Sequence, residues 1–295
     1  MNEFKNYHPI VNFIYFVFVI GFSMFFMHPI CLFIAFFCGF TYSIMLKGKN
    51  AVKENLIYMI PMMIVTAIIN PLFNHEGVTI LTYFQNGNPL TLESIIYGLS
   101  AAIMLFNVIC YFSCYNKIMT SDKFIYLFGR IIPSMSLVIS MTLRFVPNFI
   151  NQLKNVSNAQ KCIGKDLTSK NILKKIKHGL SILSIVVTWA FENSIETADS
   201  MNARGYGVAK RTAFSIYTLD KRDKKALLTF LFLGIYILVG YINGGMYFKF
   251  FPSIRSVSFS GYSFSVFFAY FLLSISPIII EIWEALRWKA LKSKI

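Results

Sequence analysis

Charged residues are scarce in this chain. Only 14% of its 295 residues are Asp, Glu, Lys or Arg, against roughly a quarter in a typical soluble domain, and 56% are hydrophobic. Acidic residues are rarer than basic ones: the chain has 13 Asp or Glu and 28 Lys or Arg, which gives a net charge of +15. This shortage excludes an ordinary soluble domain and predicts an all-α, polytopic helical membrane protein.

The motifs of several catalytic classes are also missing. The five cysteines form no CxxC pair, and four of them lie inside apolar helical stretches, so we interpret them as small packing residues and expect no metal site: Cys31, Cys38, Cys110 and Cys114. No GxxxxGK[ST] loop exists, because Gly164-Lys165 is followed by Asp166 with no upstream glycine at the required spacing. This chain is therefore not expected to hydrolyse ATP by that route.

Six apolar segments approach the ~20 residues that a membrane-spanning helix needs. They are Ile10 to Met27, Pro29 to Leu46, Leu56 to Phe73, Leu92 to Tyr115, Ala226 to Ile242 and Ser263 to Trp283. The first two are separated only by the His28-Pro29 turn, which leaves a short or re-entrant hairpin as an alternative to two full crossings. No small-residue cleavage site follows the first segment, so we expect no cleavable signal peptide. We predict about 4–8 membrane helices in all.

The basic residues are concentrated in one part of the chain. Asn74 to Thr91 contains no Lys or Arg, whereas residues 116–225 hold 18 of the 28. By the positive-inside rule, the central segment and both termini are predicted to be cytoplasmic. The predicted divisions are N-terminal membrane helices (1–115), a cytoplasmic helical segment (116–225) and C-terminal membrane helices (226–295). Because topology accounts for the positive charge, no nucleic-acid partner is expected.

The central segment is amphipathic and is predicted to form three helices. The first runs from about Ile131 to Cys162, and Pro147 is expected to kink it, because proline removes a backbone donor and crowds the preceding turn. Arg144 is expected near the membrane interface, since an arginine at mid-bilayer costs roughly 2.5–3.5 kcal/mol.

The other two predicted helices follow the acidic residue Asp166. One begins near Thr168-Ser169 and is basic and amphipathic, of the kind that lies on a membrane surface. With Gly179 as a hinge, the last helix extends from Leu180 to Arg204 and places three acids on one stripe: Glu192, Glu196 and Asp199.

Two of these helices end alike. One ends at Cys162-Ile163-Gly164 and the other at Ala203-Arg204-Gly205, each with a glycine where a left-handed cap belongs. One interpretation is an ordinary glycine cap with a cation that offsets the helix dipole. The other is a pair of docking sites for a partner, which their parallel occurrence favours.

Two blocks of sequence resemble the transmembrane T component of energy-coupling factor (ECF) transporters, the scaffold family that includes the CbiQ-like proteins. The first block is NPLFNHEGVTILTYFQNGNPLTLESIIYGL, from Asn70 to Leu99. The second consists of SLVISMTLRFVPNFINQLKNVSNAQKCIG and SIETADSMNARGYG, which are similar to the family's two long coupling helices with their terminal signatures. Together the blocks cover about half of the chain.

The resemblance implies a docking role for both helix ends. In that family each coupling helix ends in a small-Arg-Gly signature whose arginine inserts into a groove of an ATPase subunit. Ala203, Arg204 and Gly205 match this signature, whereas Cys162, Ile163 and Gly164 carry isoleucine in place of the arginine. Supporting contacts are expected from Gln160, Lys161 and Lys165, although lysine lacks the planar fork of arginine.

The resemblance further implies a non-catalytic scaffold that binds no cofactor. Two separate cytoplasmic ABC ATPases would use ATP, and one small membrane subunit would bind the substrate, a vitamin or a transition-metal ion. The expected location is the plasma membrane of a prokaryote.

Two other functional classes remain open on the residues alone. A self-sufficient channel or secondary transporter should show charged residues within its spans or inverted repeats, and the six spans are nearly free of charge. A membrane-embedded, lipid-modifying enzyme should show clustered acids or histidines. The adjacent pair His75-Glu76 is instead interpreted as having a turn or packing role.

Overall fold

The computed structural model describes residues 3–48, 52–53, 57, 59–83, 87–129, 133–164, 172–208, 217–256 and 260–292. Over these residues the chain forms α-helices joined by short loops and two small β-hairpins, which confirms the predicted all-α membrane fold. It divides into two compact units. The first unit comprises Met1–Lys123 and Tyr217–Ile295, and the second comprises Phe124–Ile216.

The helices of the first unit correspond to the six apolar segments of the sequence. They are α1 (Pro9–Phe25), α2 (Pro29–Lys47), α3 (Ile60–Phe73), α4 (Leu92–Ile118), α8 (Lys221–Ile242) and α9 (Gly261–Lys292), with a 3-10 helix at Glu3–Asn6. Four of the described helices are long and apolar enough to cross a membrane: α2, α4, α8 and α9. The helices α1 and α3 are apolar but shorter, with 17 and 14 residues.

The helices α1 and α2 begin in the same way. Each has proline in its first turn, preceded by a histidine whose Nδ1 accepts the N–H two residues on, at 3.3 Å for His8 and 3.2 Å for His28. The side chain thereby satisfies one of the backbone donors that a helix start leaves without a partner. The His28-Pro29 turn therefore separates two capped helices.

The core of the first unit contains four fully buried tyrosines: Tyr15, Tyr42, Tyr111 and Tyr270. The Tyr15 hydroxyl donates to the Ser274 carbonyl at 3.4 Å, and the Tyr111 hydroxyl donates to the Ala35 carbonyl at 3.2 Å. These bonds tie α1 to α9 and α4 to α2 where backbone carbonyls would otherwise have only their own helix as a partner. Cys31, Cys38, Cys110 and Cys114 are free and buried, as expected of packing residues.

The connection between α3 and α4 is a turn followed by a hairpin, in which β1 (Ile80–Tyr83) pairs antiparallel with β2 (Pro89–Thr91). The Asn74 side chain accepts the Glu76 N–H at 3.1 Å, and the Thr91 hydroxyl donates to the Glu76 carbonyl at 2.8 Å. His75 Nε2 lies 3.1 Å from the Asn88 amide nitrogen. These contacts confirm the interpretation of His75-Glu76 as part of a turn. A second hairpin pairs β3 (Phe248–Lys249) with β4 (Arg255–Ser256).

The second unit is built on two long helices, α6 (Pro133–Cys162) and α7 (Ile172–Ala203), and the short helix α5 (Ser121–Gly129) contains the division between the units. The rings of Phe149 and Trp189 pack edge to face with centroids 5.6 Å apart, which joins α6 to α7. Pro147 lies inside α6, which continues past it.

The prediction of two separate helices on either side of Gly179 is wrong. The helix α7 runs through this glycine without interruption. A single glycine inside a helix costs only about 1 kcal/mol relative to alanine, and the apolar periodicity continues on both sides of it. The predicted capping residues Thr168 and Ser169 lie outside the described residues.

Candidate docking ends of the two long helices

The end of α7 is a complete glycine-capped turn. Gly205 has a φ of +79°, in the left-handed region, and its N–H donates to the Asn202 carbonyl at 3.0 Å. The Tyr206 N–H donates to the Met201 carbonyl at 3.1 Å. These two bonds, from the first and second residues past the cap, define a Schellman motif. Arg204 is therefore the C-cap residue, and its backbone is held on both sides.

The end of α6 has the same cap geometry. Gly164 has a φ of +77°, and its N–H donates to the Lys161 carbonyl at 3.1 Å, as the N–H of Gly205 does to Asn202. Ile163 thus occupies the position at the end of α6 that Arg204 occupies at the end of α7. The residue that would complete the second bond is Lys165, which lies outside the described residues. The glycine caps predicted from the sequence are confirmed at both ends.

Both ends are exposed. Ala203, Arg204 and Gly205 are exposed at the end of α7, as are Lys161, Cys162, Ile163 and Gly164 at the end of α6, while Gln160 is half-buried. Within the described part of the chain, the Arg204 guanidinium has no hydrogen-bond or ion-pair partner. An unpartnered cation at a helix C-terminus is stabilised by the helix dipole and keeps its hydrogen-bonding capacity for another molecule.

The charges of α7 are divided between its two halves. The first half carries Lys174, Lys175 and Lys177, and the second half carries Glu192, Glu196 and Asp199; all six are exposed. The three acids follow i, i+4, i+7 spacing and so lie on one side of the helix, as predicted. Arg204 thus stands beyond an acidic stripe, next to the exposed apolar residues Tyr206 and Val208.

This arrangement suits binding. The ends combine an arginine fork or an apolar side chain with rigid backbone geometry, which are properties of anchors at protein interfaces. Among the described residues, no group of three or more His, Cys, Asp or Glu side chains could hold a metal ion.

Two features near the ends of the first unit's helices were not predicted from the sequence. Lys123 is 5% exposed, and its Nζ donates to the Lys5 carbonyl. Arg222 lies over the Tyr7 ring at 4.2 Å and donates to Glu284 at 2.9 Å. These contacts join residues that are 62 or more positions apart, so no local sequence pattern predicts them. From the sequence, Lys123 and Arg222 were interpreted only as charges that determine the membrane topology.

Comparison with known proteins gives matches over the N-terminal and central parts of the chain. Residues 3–214 match the CbiQ family, which is described as a cobalt transport protein. The matched stretch includes α6, α7 and both capped ends.

Curated relatives carry the name energy-coupling factor transporter transmembrane protein EcfT. The protein of Streptococcus equi subsp. equi (strain 4047) is 32% identical over 104 residues, which is 35% of this chain and 39% of the relative. The protein of Streptococcus thermophilus is 32% identical over 102 residues, covering 34% and 39%, and that of Staphylococcus aureus is 31% identical over 106 residues, covering 36% and 40%. The chain thus spans about two fifths of the length of these relatives. The match to the family covers far more, and by that match this chain belongs to the CbiQ family of membrane proteins.

Proposed function

We propose that this chain is the transmembrane scaffold, or T component, of an ECF-type importer. In this role it transmits the motion of two separate cytoplasmic ABC ATPases to a small membrane subunit that binds the substrate. The observation that carries the proposal is the pair of exposed helix ends with the same cap geometry, at Gly164 and Gly205. The names of the relatives and the match to the family support it.

A helix that ends in a fixed anchor is a suitable lever. The helices α6 and α7 contain 30 and 32 residues, so at ~1.5 Å per residue each is about 45–48 Å long. An ATPase that grips the last turn would therefore move a long, stiff element. The Schellman turn fixes the direction in which Arg204 leaves the helix, and this pre-organisation lowers the entropy lost on binding.

The two ends are chemically unequal. Arg204 offers five donors in a planar fork, whereas Ile163 offers apolar surface alone. We infer that Arg204 contributes more to ATPase binding than the end of α6, where Gln160, Lys161 and Lys165 supply supporting contacts. The ATPases would bind and hydrolyse ATP, and this chain would bind no cofactor of its own.

The membrane subunit requires an apolar surface on this chain. The helix α6 offers one, because Met135, Leu143, Val146 and Ile150 are exposed within about 80° of its circumference. The transported substrate is a micronutrient, a vitamin or a transition-metal ion, bound by that other subunit. The proposed location is the prokaryotic cell membrane with both termini in the cytoplasm, supported by the concentration of Lys and Arg in the central segment.

Co-purification of the ATPases tests the proposal. Arg204→Glu reverses the charge at the end of α7 and should weaken ATPase binding by ~2–5 kcal/mol, or about 30- to 4,000-fold. Lys154→Glu is the matched control, since it makes the same charge change at an exposed position in the body of α6. Ile163→Arg should strengthen binding by restoring the second arginine.

Two results would contradict these assignments. Equal ATPase recovery with Arg204→Glu and wild type would remove Arg204 from the interface. Loss of ATPase with Ile163→Arg would mean that the partner's groove fits isoleucine, so that the end of α6 binds in a different way.

A further inference from the structure

The first half of α7 presents an exposed apolar stripe. Its members are 43–73% exposed and recur at spacings of three and four residues: Ile172, Ile176, Leu180, Leu183 and Val187. At 100° per residue they fall within about 80° of the helix circumference and extend for ~22 Å along the axis. A stripe of this size normally has an occupant.

The contact with α6 does not account for this stripe. The face that packs in the second unit contains Trp189, which lies against Phe149, together with the buried residues Ile182 and Val186. On a helical wheel this face is centred about 100° away from the stripe. The first half of α7 therefore has two apolar faces, of which the described structure covers one.

Lysines flank the stripe. Lys175 and Lys177 lie about 60° beyond its two edges on a helical wheel, and Lys174 lies on the opposite side of the helix. All three are exposed, and none has an ion-pair partner among the described residues. They stand in the first two turns of α7, and the first turn contains no acidic residue. Cations at this position are repelled by the positive end of the helix dipole. A nearby anionic surface would offset this repulsion by binding the lysines.

The comparison with α6 sets this surface apart. The exposed apolar residues of α6 from Met135 to Ile150 are accompanied by a single basic residue, Arg144. The stripe of α7 has three lysines within its first six residues. An apolar stripe bordered by lysines is typical of helices that lie in the interface of a bilayer with anionic lipids, where apolar side chains enter the acyl region and lysines reach the phosphates.

We propose that the first half of α7 is an interfacial membrane-binding segment whose occupant is the anionic lipid surface. Ile176, Leu180 and Leu183 insert below the headgroups, and Lys175 and Lys177 bind lipid phosphates. This site is separate from the ATPase-docking end at Arg204, which lies about 17 residues beyond Val187 on the acidic half of the helix. The proposal stands on the exposed stripe and its lysines and does not depend on ATPase coupling.

Spin-label accessibility tests the assignment on the full chain. Single cysteines at Leu180 and Leu183, and a control at the exposed acidic position Glu192, would be labelled in a Cys162→Ser background, where the other four cysteines are buried. The protein would be placed in nanodiscs of phosphatidylcholine, alone or mixed with phosphatidylglycerol. Collision of the label with oxygen, which partitions into lipid, would be compared with collision with a water-soluble nickel chelate.

In mixed nanodiscs, the labels at Leu180 and Leu183 should favour oxygen over nickel several-fold relative to the label at Glu192. The ratio should fall in phosphatidylcholine alone and with the double substitution Lys175→Glu and Lys177→Glu. The same two charge reversals at the exposed lysines Lys154 and Lys249 should leave it unchanged. Equal nickel access at all three labels would overturn the proposal, because the stripe would face water. Low access to both reagents would also overturn it, because protein would cover the stripe.

Discussion

At the scale of single residues, a left-handed glycine decides how each long helix ends. Without a Cβ, Gly164 and Gly205 adopt φ values of +77° and +79° at little cost, and the chain turns away while the last carbonyls keep their donors. This requirement is local, which is why the sequence alone predicts both caps. The orientation of Ile163 and Arg204 follows from it.

Substituting Gly205 should therefore affect docking through geometry. A branched residue in the left-handed region costs ~1–2 kcal/mol, so Gly205→Val should lower ATPase retention about 5- to 30-fold, with Gly205→Asn falling between valine and wild type. Gly244→Val places the same strain at the end of α8, where φ is +75° and the Gly244 N–H donates to the Tyr241 carbonyl at 2.9 Å, and it should destabilise the protein without reducing ATPase retention. Equal retention by all the Gly205 variants would show that the cap geometry has no part in docking.

Lys123 shows the opposite case, a residue whose position depends on distant contacts. It is buried in the first turn of α5, and its Nζ donates to the carbonyl of Lys5, 118 residues earlier. Burial, with a smaller contribution from the charge of Lys5, lowers the pKa of Lys123 to about 8. The Lys123 amine thus links the N-terminal segment to the rest of the first unit through a hydrogen bond, although burial removes most of its hydration.

This pKa predicts a specific pH dependence. Below about pH 8 the Lys123 amine is protonated in both the folded and the unfolded chain, and burying its charge lowers the stability of the folded protein. Between pH 8 and 10.5 the folded chain has released this proton while the unfolded chain still binds it. The free energy of unfolding therefore rises with pH over this range. In thermal unfolding in detergent, the melting temperature of wild type should therefore rise relative to that of Lys123→Met as the pH increases over this range. The exposed Lys117→Met variant is the control and should parallel wild type. Parallel curves for Lys123→Met as well would contradict the assigned pKa.

At the scale of elements, the crossing of α3 and α4 depends on a proline and a glycine. Pro71 inside α3 has no N–H to give to the carbonyl of Ala67, four residues earlier. A Cβ on Gly98 of α4 would lie only 2.9 Å from that same Ala67 oxygen. The glycine therefore allows the two helix backbones to approach closely at the carbonyl that the proline leaves without its helical donor.

Adding one methyl group tests this crossing. Gly98→Ala should lower the free energy of unfolding by ~1–3 kcal/mol, because backbone, which cannot move aside like a side chain, meets the new carbon. Gly21→Ala in α1 is the matched control, since nothing lies within 4 Å of its Cβ, and it should be neutral or stabilise by up to ~1 kcal/mol. Comparison of the two melting temperatures in the same detergent checks the prediction. Equal effects would mean that α3 and α4 do not cross at Gly98.

The elements also show which sequence signals carry over to structure. Long apolar runs predicted the six apolar helices of the first unit, because a helix in a bilayer needs about 20 such residues in sequence. The amphipathic pattern predicted the course of α6. The Gly179 hinge was wrong because one helix breaker was given more weight than the continuous pattern around it. The histidine caps of α1 and α2 were missed, since histidine is not among the usual capping residues.

At the scale of the whole molecule, the chain combines an apolar first unit with a second unit that exposes both charged and apolar side chains. The concentration of 18 basic residues between positions 116 and 225 predicts which side of the membrane this segment occupies. The sequence could also locate both helix ends of the candidate site. It could not predict which surface of α7 stays uncovered, because that depends on how the faces of Trp189, Ile182 and Val186 are distributed around the helix once α6 is in place.

Purification from native membranes in mild detergent tests most directly whether this chain is a scaffold that works with other subunits. A tagged full-length chain should bring down two ABC ATPases and one small membrane protein, identified by mass spectrometry. Recovery of the chain alone, under conditions that preserve other membrane complexes, would contradict the account and favour a self-sufficient channel or transporter.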